Sequence, residues 1–352
     1  MSAFPGLPLH TRSLTVALSY ERDGRLLARG DVVDLRKNGF VPSGYDIQPS
    51  GIIHMMSIEL DLEPDTSRIA DLRIDQPFVA VEPSPATEGE CCRDPAPRLL
   101  ETRGDRLDEG FTKRLGLVFG GALGCSHLLT LYQLMASTVP RAMALETERV
   151  VRESTAQRPG ARFFRRSLFV DGFERDADTN DVVVQLADTH TRPIAEGSPV
   201  VTRLVSSHEL KLRASIERKR FRIASLEARE RHRTPDALAG IPWQDHDALV
   251  AELVDRPIIP GLAGRIFGLL REAPDRALLR DALLQLAPGY IQITAAQMDE
   301  YYERRARAES RDGIEAPAVS SLGGNTNSCW MWREGSPVAR TFASGRAGPS
   351  GD

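Results

Sequence analysis

The amino-acid sequence predicts an α+β protein, organised as a tandem pseudo-repeat of an antiparallel sheet packed with helices. Two observations support this. Segments that alternate apolar and polar residues, as strands do, precede an uncharged segment at residues 115–135 that has the spacing of a buried helix. A series of short segments then recurs about 154 residues later. A chain of 352 residues is long enough for two such units.

The first unit begins with four predicted strands. They cover residues 13–19, 26–35, 54–62 and 68–74, and a tight turn at residues 20–24 joins the first two. In the third strand His54, Met56 and Ile58 alternate with polar or exposed positions. A period of two therefore predicts that His54 faces the core.

The uncharged segment holds a Cys-Ser-His triplet. Gly120, Gly121 and Gly124 interrupt the helical pattern, so a new helix is expected to begin near Cys125 or Ser126. Residues two apart diverge on a finished helix, so Cys125 and His127 can converge only at its start. Helix N-termini lower thiol pKa values, which predicts a thiolate at Cys125. The alternative interpretation is a small buried Cys and a His packed in the core.

The second unit repeats landmarks of the first. Arg12-Ser13-Leu14 recurs as Arg166-Ser167-Leu168, Arg68-Ile69-Ala70 as Arg222-Ile223-Ala224, and His54 as His208. At a shorter offset of 152, Ala277 and Leu279 replace Cys125 and His127, so the second copy is expected to be degenerate. The predicted domains are residues 1–155 with the candidate site, 160–308 as the degenerate repeat, and 309–352 as a linker and C-terminal segment with a disordered tail.

The net charge and the N-terminal residues limit the partners and the compartment that are expected. The net charge of −4 gives no overall attraction to nucleic acid or to an anionic membrane. Residues 1–12 lack the pattern of a secretion signal, which predicts a cytoplasmic protein. A basic hairpin at residues 211–233 is expected to dock on the acidic hairpin at 57–76 rather than on nucleic acid. The expected partner is a small-molecule substrate, and the expected state is a monomer (an internal pseudo-dimer) or a homodimer.

The candidate ligands come from separate elements of the first unit. His54, Cys92, Cys125 and His127 could together hold one zinc or iron ion, with Cys91 as the alternative to Cys92. His127 could instead act as a general base. Cys329, in a short strand-like segment at residues 327–335, either reaches the same site or is an inert packed thiol. An iron–sulfur cluster is less expected than a single divalent ion.

Five motifs resemble those of a bacterial family catalogued as a conserved domain of unknown function. They are His10-Thr11-Arg12, Tyr20-Glu21-Arg22-Asp23-Gly24, His54-Met55-Met56, Cys92 and Gly124-Cys125-Ser126-His127-Leu128, where the family has HTR, YERDDG, HDM, CP and GCTHL. The chain departs from the family at Met55, where Asp is usual, and at Arg93, where Pro is usual. The family itself implies no activity.

The order of these elements is also similar to that of the iron–sulfur cluster scaffolds of the IscU type. That similarity implies a related sheet-and-helix pattern and a metal site in which His54, Cys92, Cys125 and His127 are the ligands. Three functions follow. The favoured one is a metal-dependent enzyme acting on a small organic substrate, in which the metal is a Lewis acid or activates water. The others are an iron–sulfur or metal carrier, and a structural or interaction protein whose Cys and His side chains only pack.

Overall fold

The computed structural model describes residues 6–43, 46–155, 159–194, 196–271, 276–300, 303 and 326–343. It confirms an α+β fold, in which helices pack against a large antiparallel sheet of nine strands. Among the described residues, no helix is both long enough and apolar enough to cross a membrane.

Four long strands of the first half form one side of the sheet. The strands of this half are β1 (Leu7–Tyr20), β2 (Leu26–Arg36), β3 (Val41–Ser43), β4 (Asp46–Gln48), β5 (Gly51–Leu62) and β6 (Ile69–Phe78). β3 and β4 form a separate two-stranded ribbon. In β1 and β2, every second residue is buried, because one face of each strand packs on the helices.

The second half supplies the other side of the sheet with β7 (Arg162–Asp176), β8 (Thr179–Thr191), β9 (Leu204–Glu217), β10 (Arg222–Arg233) and β11 (Gln244–Asp245). The strand order is β11-β10-β9-β8-β7-β1-β2-β5-β6. Four long strands of each half therefore follow one another outward from the central β1–β7 pair. This order agrees with a tandem repeat, which stays a prediction.

The predicted docking of the basic hairpin on the acidic one is wrong. The β9–β10 hairpin and the β5–β6 hairpin lie towards opposite edges of the sheet. The two halves join through β1 and β7 instead, whose antiparallel pairing runs along most of both strands. Main-chain hydrogen bonds between these strands replace the expected charge attraction.

Seven α-helices are described: α1 (Phe111–Phe119), α2 (Ser126–Glu153), α3 (Asp247–Val250), α4 (Leu262–Leu269), α5 (Ala277–Leu283), α6 (Leu286–Ala295) and α7 (Pro337–Ala343). The predicted break in the uncharged segment is confirmed, since α1 ends at Phe119 and α2 begins at Ser126. α2 packs directly on β2. A Cβ atom at Gly30 would lie 2.5 Å from the Met135 sulfur, so glycine is needed for this close approach.

The C-terminal segment at residues 327–335 was expected to be strand-like, and this prediction is wrong. It contains a short 3₁₀ helix at Trp330–Trp332. The Trp330 amide donates to the Gly124 carbonyl at 2.8 Å, which anchors this segment beside the start of α2. The side chains of Met331 and Ser336 are buried there. In the predicted linker and C-terminal segment, residues 309–325 and residues 344–352 lie outside the described residues.

Candidate metal centre

Three neighbouring strands place Arg12, Asp34 and His54 side by side on the helix-covered face of the sheet. Arg12 in β1 is opposite Asp34 in β2, and Asp34 is opposite His54 in β5. Immediately before His54 the register of β5 shifts against β2, which leaves Ile53 as an extra residue. Both Ile53 and His54 are buried as a result. Such bulges re-aim side chains and are common beside functional sites.

Asp34 is the centre of this group and is fully buried. His10 Nε2 lies 2.8 Å from Asp34 Oδ1, and the Arg12 guanidinium donates to both carboxylate oxygens at 3.1 to 3.4 Å. Burial opposes ionisation, but Arg12, His127 and His10 outweigh it and hold the pKa of Asp34 well below its usual value. Asp34 is therefore a carboxylate at neutral pH.

His127 reaches the same carboxylate from the first turn of α2. Its Nε2 atom lies 3.2 Å from Asp34 Oδ2 and 3.1 Å from the amide nitrogen of Gln292 in α6. The rings of His127 and His54 are in contact, with centroids 3.7 Å apart and ring planes tilted by 30°. The start of α2 therefore brings His127 to the face of β5 that holds His54.

Asp34, His54 and His127 could hold a metal ion, since each offers one ligand atom and these atoms all lie within 4.8 Å of one another. All three residues are buried. Burial lowers the pKa of His54 to about 4 and lowers the pKa of His127 well below its usual value. Both imidazoles are therefore neutral near pH 7, which is the form that binds metals. The His54 Nδ1 atom is buried without a hydrogen-bond partner among the described residues.

A cavity of about 190 Å³ lies beside this group. All four predicted ligands, His54, Cys92, Cys125 and His127, line it, and so does Cys329. Cys91 does not line it, and its thiol instead lies 3.1 Å from an Asp94 carboxylate oxygen. Of the two adjacent cysteines, the structure therefore brings Cys92 to the site.

The predicted Cys125 thiolate is wrong for the protein without metal. Burial raises the pKa of the Cys125 thiol to about 12, because desolvation outweighs the backbone amides at the start of α2. Burial, with the nearby Cys125 and Cys329, raises the pKa of Cys92 well above its usual value. The Cys125 sulfur lies 3.8 Å from His127 Nδ1. Neither Cys92 nor Cys125 belongs to the close group of three ligands found among the described residues.

Asp34, Arg12 and His10 were not among the site residues predicted from the sequence, although His10 and Arg12 lie in one of the five motifs. A signal was present, because Leu26, Ala28 and Val32 share the buried face of β2 with Asp34, and alternation places Arg12 and His10 on the matching face of β1. Charged or ionisable residues at core-facing positions of adjacent strands indicate a paired or functional group.

The fold and the site together define an α+β protein in which two imidazoles line a cavity and lie close to a buried carboxylate. Residues 10–141 match the model of a family described as "Protein of unknown function (DUF2889)". This segment thus shows the pattern of an uncharacterised domain family and contains Asp34, His54 and His127. No curated protein and no solved structure matches the chain. The similarity to IscU-type scaffolds stays a prediction.

Proposed function

We propose that the protein is a metal-dependent enzyme that acts on a small organic substrate. The observation that carries this proposal is the position of Asp34, His54 and His127, whose ligand atoms lie within 4.8 Å of one another beside a cavity. Three protein ligands leave further positions around an ion open to a substrate or water, as in catalytic sites. The bound ion would supply Lewis-acid chemistry or an activated water to a molecule in the cavity.

The donor set fits iron or zinc. One carboxylate and two neutral imidazoles form the set typical of non-haem Fe(II) sites, and zinc enzymes also use three such ligands. Arg12 and His10 both hydrogen-bond to Asp34, and such bonds orient a ligating carboxylate. Compared with the set predicted from sequence, this proposal keeps His54 and His127 as ligands and adds Asp34. Cys125, beside His127, remains the candidate for a fourth ligand.

Elemental analysis by plasma mass spectrometry tests the proposal, with protein produced without a metal-affinity tag. We expect close to one equivalent of iron or zinc per chain, and a loss of metal affinity of roughly 100-fold or more in His54→Ala, since even outer hydrogen-bond partners contribute 10- to 100-fold. His208→Ala is the matched control. In β9, His208 is opposite Asp188 of β8, just as His54 in β5 is opposite Asp34 of β2. Replacing His208 should leave the metal content unchanged.

A wild-type protein that stays metal-free after incubation with Fe²⁺ or Zn²⁺, while keeping a cooperative thermal transition, would contradict the proposal. His54, His127 and Asp34 would then be a structural polar network, as in the third interpretation of the sequence. Equal metal loss in His54→Ala and His208→Ala would also count against a site in the first half.

The cysteines favour a second candidate, an iron–sulfur or metal carrier. Cys92, Cys125 and Cys329 all line the cavity with His127, and thiolates are the usual ligands of iron–sulfur clusters. Visible charge-transfer absorption in protein purified without oxygen would support this candidate, provided that Cys92→Ser and Cys329→Ser abolish it. Metal retention in both cysteine variants, without such absorption, would favour the enzyme.

A further inference from the structure

Arg36 is a buried cation on the wall of the same cavity. It lies at the end of β2, two residues beyond Asp34 on the same face, and only 3% of its surface is exposed. Same-face neighbours along a strand are about 7 Å apart, so the backbone places Arg36 next to Asp34 on this face. The guanidinium donates to the Gln48 carbonyl at 2.7 Å and to the Gln48 side-chain oxygen at 2.9 Å.

The protein gives Arg36 no direct counter-ion. Among the described residues, no carboxylate lies within 4.0 Å of its nitrogen atoms, and its Nε atom is buried without a hydrogen-bond partner. Asp299 and Asp34 attract Arg36 only from beyond ion-pair distance, and the Asp34 carboxylate already pairs with Arg12 and His10. An arginine guanidinium keeps its charge at neutral pH. A buried charge that lacks an ionic partner is costly.

The second half of the sheet fills the corresponding position differently. His190 lies two residues beyond Asp188 in β8, as Arg36 does beyond Asp34 in β2. Glu146 of α2 comes within 2.8 Å of His190, and both side chains are buried. In the second half, the Glu146 carboxylate therefore pairs with His190. In the first half, Arg36 faces a cavity instead.

The rest of the cavity wall suits an apolar body. Its lining includes Val41, Ile53, Val81, Ile291, Met298 and Trp330. The Trp330 Nε1 atom is buried and has no partner among the described residues, so the wall offers a second free donor. A volume of about 190 Å³ slightly exceeds that of the engineered cavity of about 150 Å³ that holds benzene in another protein. A molecule with one ring is therefore the right size.

We propose that the cavity binds a small monocarboxylate with a ring-sized apolar body, and that Arg36 binds its carboxylate. This inference rests on the proposed function for its biological meaning, because it gives the substrate class of the same site. The carboxylate of the ligand would be a close counter-ion for Arg36, which no described residue provides. The apolar body of the ligand would fill the cavity towards Asp34, His54 and His127.

Calorimetric titration of the full chain tests the inference with benzoate, phenylacetate and cyclohexanecarboxylate, each with and without one equivalent of Zn²⁺. We expect at least one of these to bind, and benzamide, the neutral counterpart of benzoate, to bind at least 10-fold more weakly than benzoate. Arg36→Gln should weaken carboxylate binding by roughly 10- to 100-fold, the usual effect of a hydrogen bond to a charged group. Lys37→Gln is the control, since Lys37 pairs with Asp171 and does not line the cavity.

Failure of all three carboxylates to bind the zinc-loaded protein would overturn the inference, as would equal affinity for benzoate and benzamide when benzoate binds. The second comparison uses only wild-type protein and so does not depend on Arg36→Gln folding. Metal content measured on the same samples separates the two proposals. If the protein binds metal but no carboxylate, only the enzyme proposal is supported. If the protein stays metal-free but binds a carboxylate in a way that depends on Arg36, only the present inference is supported.

Discussion

The two halves of the sheet carry the same three residue types at the same register positions. Arg12, Asp34 and His54 are neighbours across β1, β2 and β5. Arg166, Asp188 and His208 are neighbours across β7, β8 and β9 in the same way. The difference lies in what the helices bring to each group. His127 approaches Asp34 and leaves a cavity beside it, whereas Arg141 of α2 lies against Asp188 and His208.

Arg141 places a protein cation where the first half could hold a metal cation. Its Nε donates to Asp188 at 3.1 Å, and its Nη2 atom lies 3.1 Å from His208 Nδ1. Asp281 of α5 accepts from Arg166 at 2.6 Å, which supplies a further internal charge pair. The second group is thus neutralised entirely by side chains. An Arg-Asp-His register therefore makes a candidate site only where the overlying helix leaves space.

The largest effect is expected from Asp34→Asn. This change leaves the buried Arg12 without any carboxylate partner among the described residues, and removing one member of a buried ion pair costs roughly 3–5 kcal/mol of unfolding free energy. Asp188→Asn should cost less, roughly 1–3 kcal/mol, because Arg166 keeps Asp281. Urea unfolding of both variants measures the difference. Equal costs would show that Asp281 does not distinguish the two groups.

Arg141→Gln should have an intermediate effect. It removes the hydrogen bonds to Asp188 and His208 but leaves Asp188 paired with Arg166, so we expect a loss of roughly 1–2 kcal/mol in urea unfolding. Arg152→Gln on the same helix is the control, because its exposed ion pair with Glu148 should contribute less than about 0.5 kcal/mol. A neutral result for Arg141→Gln would mean that Arg141 does not stabilise the second group.

The smallest effect is a pH dependence from Glu230. The hydrogen bond with His208, together with the charge of His246, lowers the pKa of Glu230 from 4.5 to about 2 despite its partial burial. The stabilisation is therefore present above pH 4.5 and is lost as the pH falls towards 2. We expect the stability of Glu230→Gln to fall less steeply than that of wild type over this interval, with the exposed Glu227→Gln as control. Parallel curves in urea titrations would contradict this.

Two features of the site could be predicted from the local sequence pattern, namely the direction of His54 and the start of α2. Alternation in β5 predicted that His54 faces the core, and the glycines before Cys125 predicted where α2 begins. Asp34 was missed because its significance depends on pairing with β1 and β5, which is a long-range property. The protonation state of Cys125 could not be predicted from the sequence either, because burial in the packed structure sets the pKa of its thiol.

The hydrogen bond between Trp330 and Gly124 has a practical consequence for producing the protein. A fragment trimmed to the family match, residues 10–141, would carry Asp34, His54 and His127. It would lack Gln292, Cys329 and Trp330, which also line the cavity. Such a fragment would expose the inner wall to solvent, so functional assays and crystallisation should use protein that extends at least to residue 343.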